Sequence, residues 1–218
     1  MCEIIQSINM KKYLGFIVAL VLFSCDGKKE IELPKAASTI VADVQEHSPI
    51  YIFFKVEGKD TIADVNRKNS IVSTNWIFNI DKRLPLKLIV PEIIKLQAKK
   101  DGSMHKNEAD ENYFSYANDV KKTMAFLPFT KVKYVIGKPV NNDIYFGEND
   151  YVKFNSQTLK KTELQNYLNN LMIEHEYEIL VSFDKKISFD EYIKCKVFLN
   201  SLKITKKGIT ISNKEYLY

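Results

Sequence analysis

The sequence is poor in glycine, proline, cysteine and tryptophan, with 7, 6, 3 and 1 residues among 218. So little glycine and proline excludes collagen-like and low-complexity chains, while 45% hydrophobic residues supply enough apolar surface for a folded core. Concentrated positive charge is also missing, because the 32 Lys and Arg residues are spread along the chain beside 27 Asp and Glu residues. A nucleic-acid-binding face gathers its cations where phosphates lie, so we expect no nucleic-acid partner.

Cysteine is too scarce for a disulfide framework. Cys2 precedes an export signal and Cys25 ends it, so Cys195 has no partner for an intramolecular disulfide. Cys195 falls on an apolar helical stripe, which favours a buried structural thiol over a nucleophile. Stability is therefore expected to come from packing.

The N-terminal region is typical of an exported protein. A short cationic segment, Met10-Lys11-Lys12, precedes an apolar run over residues 13–23, which is too short to cross a hydrocarbon layer of about 30 Å. The run ends in Leu22-Phe23-Ser24-Cys25, which resembles the lipobox of bacterial lipoproteins, although Phe23 is bulkier than usual there. The alternative is a buried hydrophobic helix, but the run lacks the polar face of such a helix.

The lipobox resemblance implies a signal peptide over residues 1–24 and lipid attachment at Cys25. Met10 would serve as a start codon, which makes residues 1–9 a mis-assigned extension. Because each buried methylene contributes about 0.8 kcal/mol, acyl chains on Cys25 would hold the protein on a bacterial membrane, from the periplasmic or the surface side. Residues 25–38 are predicted to form a loosely structured tether.

Two segments of the remaining chain share a pattern. Residues 76–86 match residues 179–189, since each is an apolar strand followed by Asp-Lys, a basic residue, an aliphatic residue and a helix-opening residue. Residues 50–53 match residues 144–147 as an earlier strand. The offset grows from 94 to 103 between these pairs, so the second half contains extra residues, which are predicted to form a helix.

Periodicity divides the second half into strands and helices. Strands are predicted at residues 143–146, 151–155, 178–183 and 208–212, with a last strand ending at Tyr218, and helices at residues 163–173 and 189–202. The helix starts are indicated by the capping sequences Thr162-x-x-Gln165 and Ser188-x-x-Glu191.

The first half is predicted to be a degenerate copy of the second. Its elements are a hairpin over residues 48–65, a strand over 73–80, a helix that begins at Pro85 or near Pro91, a helix over 104–124 and a strand over 130–136. The sequence therefore predicts an α+β fold of two related small units, residues 39–137 and 138–218, each a mixed or antiparallel sheet with helices on one face.

From about residue 144 onward, the second half resembles the periplasmic domain of the ExbD/TolR family of biopolymer-transport proteins. The resemblance lies in a strand that ends in Asp184-Lys185 and is followed by an aliphatic residue, Ser188 and an aromatic residue at the start of a helix. It implies dimer formation and contact with a protein or cell-wall partner. The proton-coupled motor role of that family does not carry over, because residues 13–23 contain no acid.

The sequence contains no motif for metal, nucleotide or acyl-transfer chemistry. His47, His105 and His175 lie far apart, with no second ligand at helical or hairpin spacing, so we expect no metal site and no cofactor. Asp81 and Asp184 recur at equivalent places and resemble an acid/base pair. The favoured interpretation is structural, since an acid before a helix stabilises the free amides of its first turn, and neither Asp has a histidine nearby in sequence.

The C-terminal residues Tyr216, Leu217 and Tyr218 are the predicted partner-binding residues. They belong either to the core or to an exposed edge strand that pairs with another chain. The sequence thus predicts a non-enzymatic, lipid-anchored envelope protein that contacts a protein or cell-wall partner, linked to biopolymer transport and able to form a homodimer. The alternatives are an envelope hydrolase or carbohydrate-processing protein with a dispersed site, and a structural or inhibitory lipoprotein.

Overall fold

A computed structural model describes residues 30–218 apart from Lys106, Asn141 and Asn149. Residues 31–218 form one compact unit, and its described residues make a mixed α/β fold with two six-stranded mixed sheets and three helices. Among the described helices, none has the length and apolar character needed to cross a membrane. The predicted signal peptide and Cys25 lie outside the described residues.

The first sheet is built around four strands in the order β3-β2-β4-β5. β2 pairs antiparallel with β3 and parallel with β4, and β4 pairs parallel with β5, which also carries β1 and β6. The strands are β1 (Lys35–Ala36), β2 (His47–Glu57), β3 (Asp60–Asn66), β4 (Asn75–Ile80), β5 (Asn112–Asn118) and β6 (Thr123–Pro128). The helix α1 (Leu86–Asp101) connects β4 with β5.

The second sheet has the order β10-β9-β8-β11-β12-β7. β8 pairs antiparallel with β9 and parallel with β11, and β12 lies parallel between β11 and β7. The strands are β7 (Lys133–Ile136), β8 (Asp143–Phe146), β9 (Tyr151–Phe154), β10 (Gln157–Lys160), β11 (Tyr177–Phe183) and β12 (Ile209–Leu217). The helices α2 (Lys161–Asn169) and α3 (Phe189–Ser201) precede and follow β11.

The two sheets share a strand order. The series β3-β2-β4-β5 and β9-β8-β11-β12 have the same neighbours and the same directions, and α1 and α3 occupy the same connection in each. The second half adds β10 and α2, which account for its extra residues. The next strand also corresponds, since β1 runs parallel to β5 as β7 runs parallel to β12, and the first sheet differs by β6, which pairs antiparallel with β5.

The two Asp-Lys loops contact each other through reciprocal backbone hydrogen bonds. The amide of Leu86 donates to the carbonyl of Ile187 at 3.0 Å, and the amide of Phe189, which is equivalent to Leu86, donates to the carbonyl of Leu84 at 2.8 Å. A second pair of hydrogen bonds repeats this exchange: the amide of Lys87 donates to the carbonyl of Lys185, and the amide of Asp190 donates to the carbonyl of Lys82. Each bond is matched by one 103 residues away, as in an isologous dimer interface.

Both sheets bury one face against the same helices. The Tyr192 ring on α3 lies 4.9 Å from the Phe183 ring of the second sheet and 6.1 Å from the Phe114 ring of the first. α1 also reaches both sheets, since Lys100 donates to the carbonyl of Thr74 and Gln97 donates to the carbonyl of Val132 beside β7. The helices α1 and α3 therefore lie between the sheets and share their core.

Most of the predicted elements of the second half are confirmed. The predicted strand 208–212 and the strand ending at Tyr218 are one strand, β12. Ser188 caps α3 as predicted, because its hydroxyl accepts from the amide of Glu191 at 3.2 Å. The predicted cap at Thr162 is wrong: α2 begins at Lys161, and the Glu163 carboxylate accepts from the amide of Lys160.

The predicted helix over residues 104–124 is wrong, since the structure places β5 and the start of β6 there. β5 buries Asn112, Phe114 and Tyr116 at every second position, with Ser115 buried between the last two, whereas Val120, on the predicted helical stripe, is 71% exposed. A central strand position outweighed the helical spacing of the aromatic residues. In addition, the short strand β1 lies within the predicted tether, and β7, assigned to the first unit, pairs in the second sheet.

Candidate functional site

The predicted partner-binding residues lie on an inner strand. β12 pairs with β11 on one side and with β7 on the other, so the prediction of an exposed edge strand is wrong. Because side chains alternate along a strand, Leu217 points into the core, where it is 3% exposed, and Tyr216 and Tyr218 lie on the opposite face. A sheet face, and not a strand edge, is the surface that these two tyrosines offer.

Register brings further polar side chains to the same face of the second sheet. Tyr145 on β8 lies opposite Ser182 on β11, and Ser182 lies opposite Tyr216 on β12. Along their strands, Tyr145 and Ser182 alternate with buried residues whose side chains point toward the helices. We define the tyrosine face as this surface, comprising the residues Asp143, Tyr145, Ser182, Asp184, Tyr216 and Tyr218.

Tyr218 spans the centre of the tyrosine face. It follows β12, yet its hydroxyl donates to Asp143 Oδ2 on β8 at 3.2 Å, and β11 lies between these two strands. Its ring lies 5.0 Å from the ring of Tyr145, also on β8. The Tyr218 side chain therefore crosses over β11 and covers Ser182.

Ser182 is a buried hydroxyl without a partner. Its side chain is 0% exposed, and within the described part of the chain its Oγ has no hydrogen-bond partner. Leaving a buried polar group unsatisfied costs roughly 1–3 kcal/mol. Such an orphaned group is rare in a folded protein and indicates strain, a functional contact, or a bound water or ion.

Acids and amines surround the tyrosines. Burial, followed by the negative charges of Asp184, Asp143 and Glu148, raises the pKa of Tyr145 to about 12. Burial and the charge of Asp143 likewise raise the pKa of Tyr218 above its usual value. Both hydroxyls therefore stay protonated at neutral pH and remain hydrogen-bond donors.

Two lysines lie over the tyrosine rings at the border of the face. The Nζ of Lys138 is 5.5 Å from the ring centre of Tyr218, and the Nζ of Lys153 is 5.9 Å from that of Tyr145. Ammonium groups at this distance are attracted to the negative face of an aromatic ring. The tyrosine face thus combines aromatic rings, carboxylate acceptors and amine donors.

The structure gives the two repeated aspartates different environments. Asp81 is 0% exposed, and its carboxylate accepts from Arg83 Nε at 2.8 Å, from Arg83 Nη2 at 2.6 Å and from the Arg83 amide at 3.0 Å. Asp184 is only partly buried and accepts from the amide of Lys186. The Asp81 carboxylate is thus occupied by Arg83, which precedes the helix α1, and Asp184 belongs to the tyrosine face.

Cys195 and the histidines do not join this site. Cys195 is free and buried, and burial raises the pKa of its thiol to about 12, so it is protonated at neutral pH. His47 lies at the start of β2, where its Nδ1 is 2.8 Å from the carbonyl of Val44. Within the described ranges, no three metal-ligating side chains come together.

A buried polar network lies beneath the tyrosine face, on the inner side of β12. The Tyr192 hydroxyl donates to Glu215 Oε2 at 2.8 Å and lies 3.0 Å from the Tyr134 hydroxyl, and Lys196 pairs with the other Glu215 oxygen. Glu215 is 1% exposed. This network joins β7, α3 and β12 and has no open path to solvent at the glutamate, so we assign it to stability.

Sequence reasoning identified Tyr216 and Tyr218 but missed Tyr145 and Ser182. The repeat contained a signal for Tyr145, because residues 144–147 align with residues 50–53, which places Tyr145 opposite the strand that carries Ser182. No sequence signal distinguishes Ser182, since its burial without a hydrogen-bond partner depends on the Tyr218 side chain crossing over β11. No family model, curated protein or solved structure matches this chain.

Proposed function

We propose that the chain is an exported envelope lipoprotein, anchored through Cys25, that acts as a non-enzymatic binding module. The observation that carries the binding role is the tyrosine face, where Tyr218 covers an unsatisfied Ser182 hydroxyl. Tyrosine offers a large amphipathic contact area at a low cost in side-chain entropy, which suits a binding surface. The partner is an envelope protein or cell-wall material.

The anchor rests on the sequence of residues 10–25. Labelling with radioactive palmitate in a bacterial host is expected to mark the full chain and to leave a Cys25→Ala variant unmarked. The Cys25→Ala variant should also leave the membrane fraction, because the acyl chains supply the membrane affinity. Unlabelled wild-type protein, or a variant that still sediments with membranes, would refute the anchor.

We further propose that the two sheets are related units that arose by duplication. Support comes from the common strand order, the common helix position and the reciprocal hydrogen bonds between the two Asp-Lys loops. Kinship with the ExbD/TolR periplasmic domain, a link to biopolymer transport and homodimer formation remain hypotheses of the same kind. A non-enzymatic role is favoured because Arg83 occupies the carboxylate of Asp81, one member of the acid pair formed with Asp184 in the repeat.

Contact through the tyrosine face is tested by site-specific photo-crosslinking in cells. A benzophenone side chain at position 216 is expected to give higher-mass adducts, because Tyr216 lies partly exposed on the tyrosine face. The control places the same group at Tyr51, which is also partly exposed and lies on the outer face of the other sheet. Adducts at position 51 but not at position 216 would contradict the assignment of the surface.

A further inference from the structure

The chemical mixture on the tyrosine face restricts the class of ligand. The carboxylate of Asp143, at the start of β8, accepts from the Tyr218 hydroxyl, and that of Asp184, just past the end of β11, acts on Tyr145, so both lie beside the rings of the face. A dry protein interface would desolvate these carboxylates, and charged residues are depleted from the cores of such interfaces. A ligand that keeps the carboxylates hydrogen-bonded is therefore favoured.

The charges also disfavour ionic ligands. An anionic polymer would place its charges near Asp143, Asp184 and Glu148, all of which act on the Tyr145 hydroxyl. A cationic ligand would meet Lys138 and Lys153, which already lie over the rings. The face carries both signs of charge, three carboxylates and two ammonium groups, so a neutral ligand avoids like-charge repulsion with either set.

A sugar chain meets each requirement of the face. Its C–H groups carry slight positive charge and pack against the negative faces of aromatic rings. Its hydroxyls donate to carboxylates and accept from tyrosine or lysine donors. One further hydroxyl can pair with Ser182 Oγ once the Tyr218 side chain turns away from β11, which satisfies the group that is orphaned beneath it.

We propose that the tyrosine face binds a neutral polysaccharide, with sugar rings against Tyr145 and Tyr218, sugar hydroxyls donating to Asp143 and Asp184, and Ser182 exposed by movement of Tyr218. The inference rests on the proposed function in one respect, that this face is the contact surface of the protein. It does not depend on the lipid anchor.

Affinity electrophoresis of the full chain tests the proposal. The protein, solubilised in a zwitterionic detergent without sugar headgroups, is run through native gels that contain dextran, laminarin, xyloglucan or galactomannan. At least one of these neutral polymers is expected to retard the protein, whereas the anionic polymer polygalacturonate is not. Free migration in all four neutral gels, or retardation by polygalacturonate alone, would overturn the proposal.

Matched variants locate the binding. Tyr145→Ala is expected to raise the dissociation constant at least about tenfold, as truncation of an aromatic contact residue does, while Tyr145→Phe keeps the ring and most of the affinity. Ser182→Ala should weaken binding about fivefold through the loss of one hydrogen bond. Tyr51→Ala, the equivalent change in the first sheet, should leave retardation unchanged. Equal losses for Tyr51→Ala and Tyr145→Ala would place the binding elsewhere.

The outcomes separate this inference from the proposed function. A protein adduct at position 216 together with free migration in every neutral gel would refute the polysaccharide ligand and leave the binding surface intact. Retardation together with failed palmitate labelling would refute the anchor and leave the ligand intact. Far-ultraviolet circular dichroism of each variant checks that the sheets have folded.

Discussion

The two halves of the molecule use the same framework in opposite ways. In the first sheet, the polar groups at the centre of the outer face are paired with each other, since Ser115 Oγ donates to Asn79 Oδ1 at 2.7 Å. At the equivalent place in the second sheet, Ser182 Oγ has no partner among the described residues. At this position of the outer face, the first sheet satisfies its polar groups internally, and the second leaves one to be satisfied from outside.

The loops after β4 and β11 show the same difference, because the polar group of the first loop is paired more fully than that of the second. Arg83 encloses the Asp81 carboxylate, whereas the equivalent Lys186 offers Asp184 only its backbone amide. A guanidinium binds a carboxylate through two parallel hydrogen bonds, which an ammonium cannot do. The exchange of Arg for Lys therefore frees Asp184 to act on Tyr145, and the first half is the structural member of the pair.

The largest expected difference between the halves is in how much stability the protein loses when Asp81 or Asp184 is replaced. Asp81→Ala should lower the free energy of unfolding by about 2–3 kcal/mol, because it removes the hydrogen bonds that the buried carboxylate accepts from Arg83 and from the Glu32 amide. Asp184→Ala should cost about 1 kcal/mol or less, because the partly buried carboxylate accepts from the Lys186 amide without a guanidinium partner. Urea unfolding measures both, and equal effects would remove the distinction between the loops.

Asp81 should also make stability depend on pH. Burial by itself raises the pKa of the carboxyl, but hydrogen bonds from Arg83 and Glu32 outweigh it and hold the pKa below the ordinary value of 3.8. A lowered pKa in the folded state contributes stability that is present above pH 3.8 and is lost as the pH falls toward the folded value. Unfolding free energies measured from pH 6 to pH 3 should fall less steeply for Asp81→Asn than for the natural protein.

The next largest effect concerns the buried network of the second half. Tyr192→Phe removes the hydroxyl that joins Glu215 to Tyr134 and should cost about 1–2 kcal/mol, because Glu215 remains buried with one fewer donor. Tyr116→Phe is the comparison in the first half, where the hydroxyl contacts only backbone groups, the Ile40 amide and the Ser38 carbonyl. Thermal unfolding should rank Tyr192→Phe as the more destabilising change.

Local patterns predicted the parts of this fold that local interactions determine. Ser188 caps α3 through a bond three residues along the chain, and the loop pattern around Asp81 recurs around Asp184, so both were visible in sequence. The helix predicted over residues 104–124 failed because β5 pairs with β4, from a distant part of the chain, as well as with the adjacent strand β6. Strand pairing between distant segments overrides local spacing.

The site was only half predictable for the same reason. Tyr216 and Tyr218 were candidates because they are aromatic residues in a terminal strand. The sequence of residues 133–136 contains no signal that this segment pairs with β12, so β12 was predicted to be an edge strand. Whether Tyr218 covers Ser182 depends on the order of three strands that are separated along the chain. Non-local register, which the sequence does not encode in any short window, creates the tyrosine face.

The smallest effects give the sharpest comparison, because the two halves should respond with opposite signs. Ser182→Ala removes an unsatisfied buried hydroxyl and should raise the free energy of unfolding by about 1 kcal/mol, whereas Asn79→Ala at the equivalent position removes the acceptor of Ser115 and should lower it by about 1 kcal/mol. Paired urea titrations resolve differences of this size when the m-values agree. Destabilisation by Ser182→Ala would mean that the hydroxyl is already satisfied in the free protein. In that case the second sheet is as self-contained as the first, and its outer face loses the feature that distinguishes it as a binding surface.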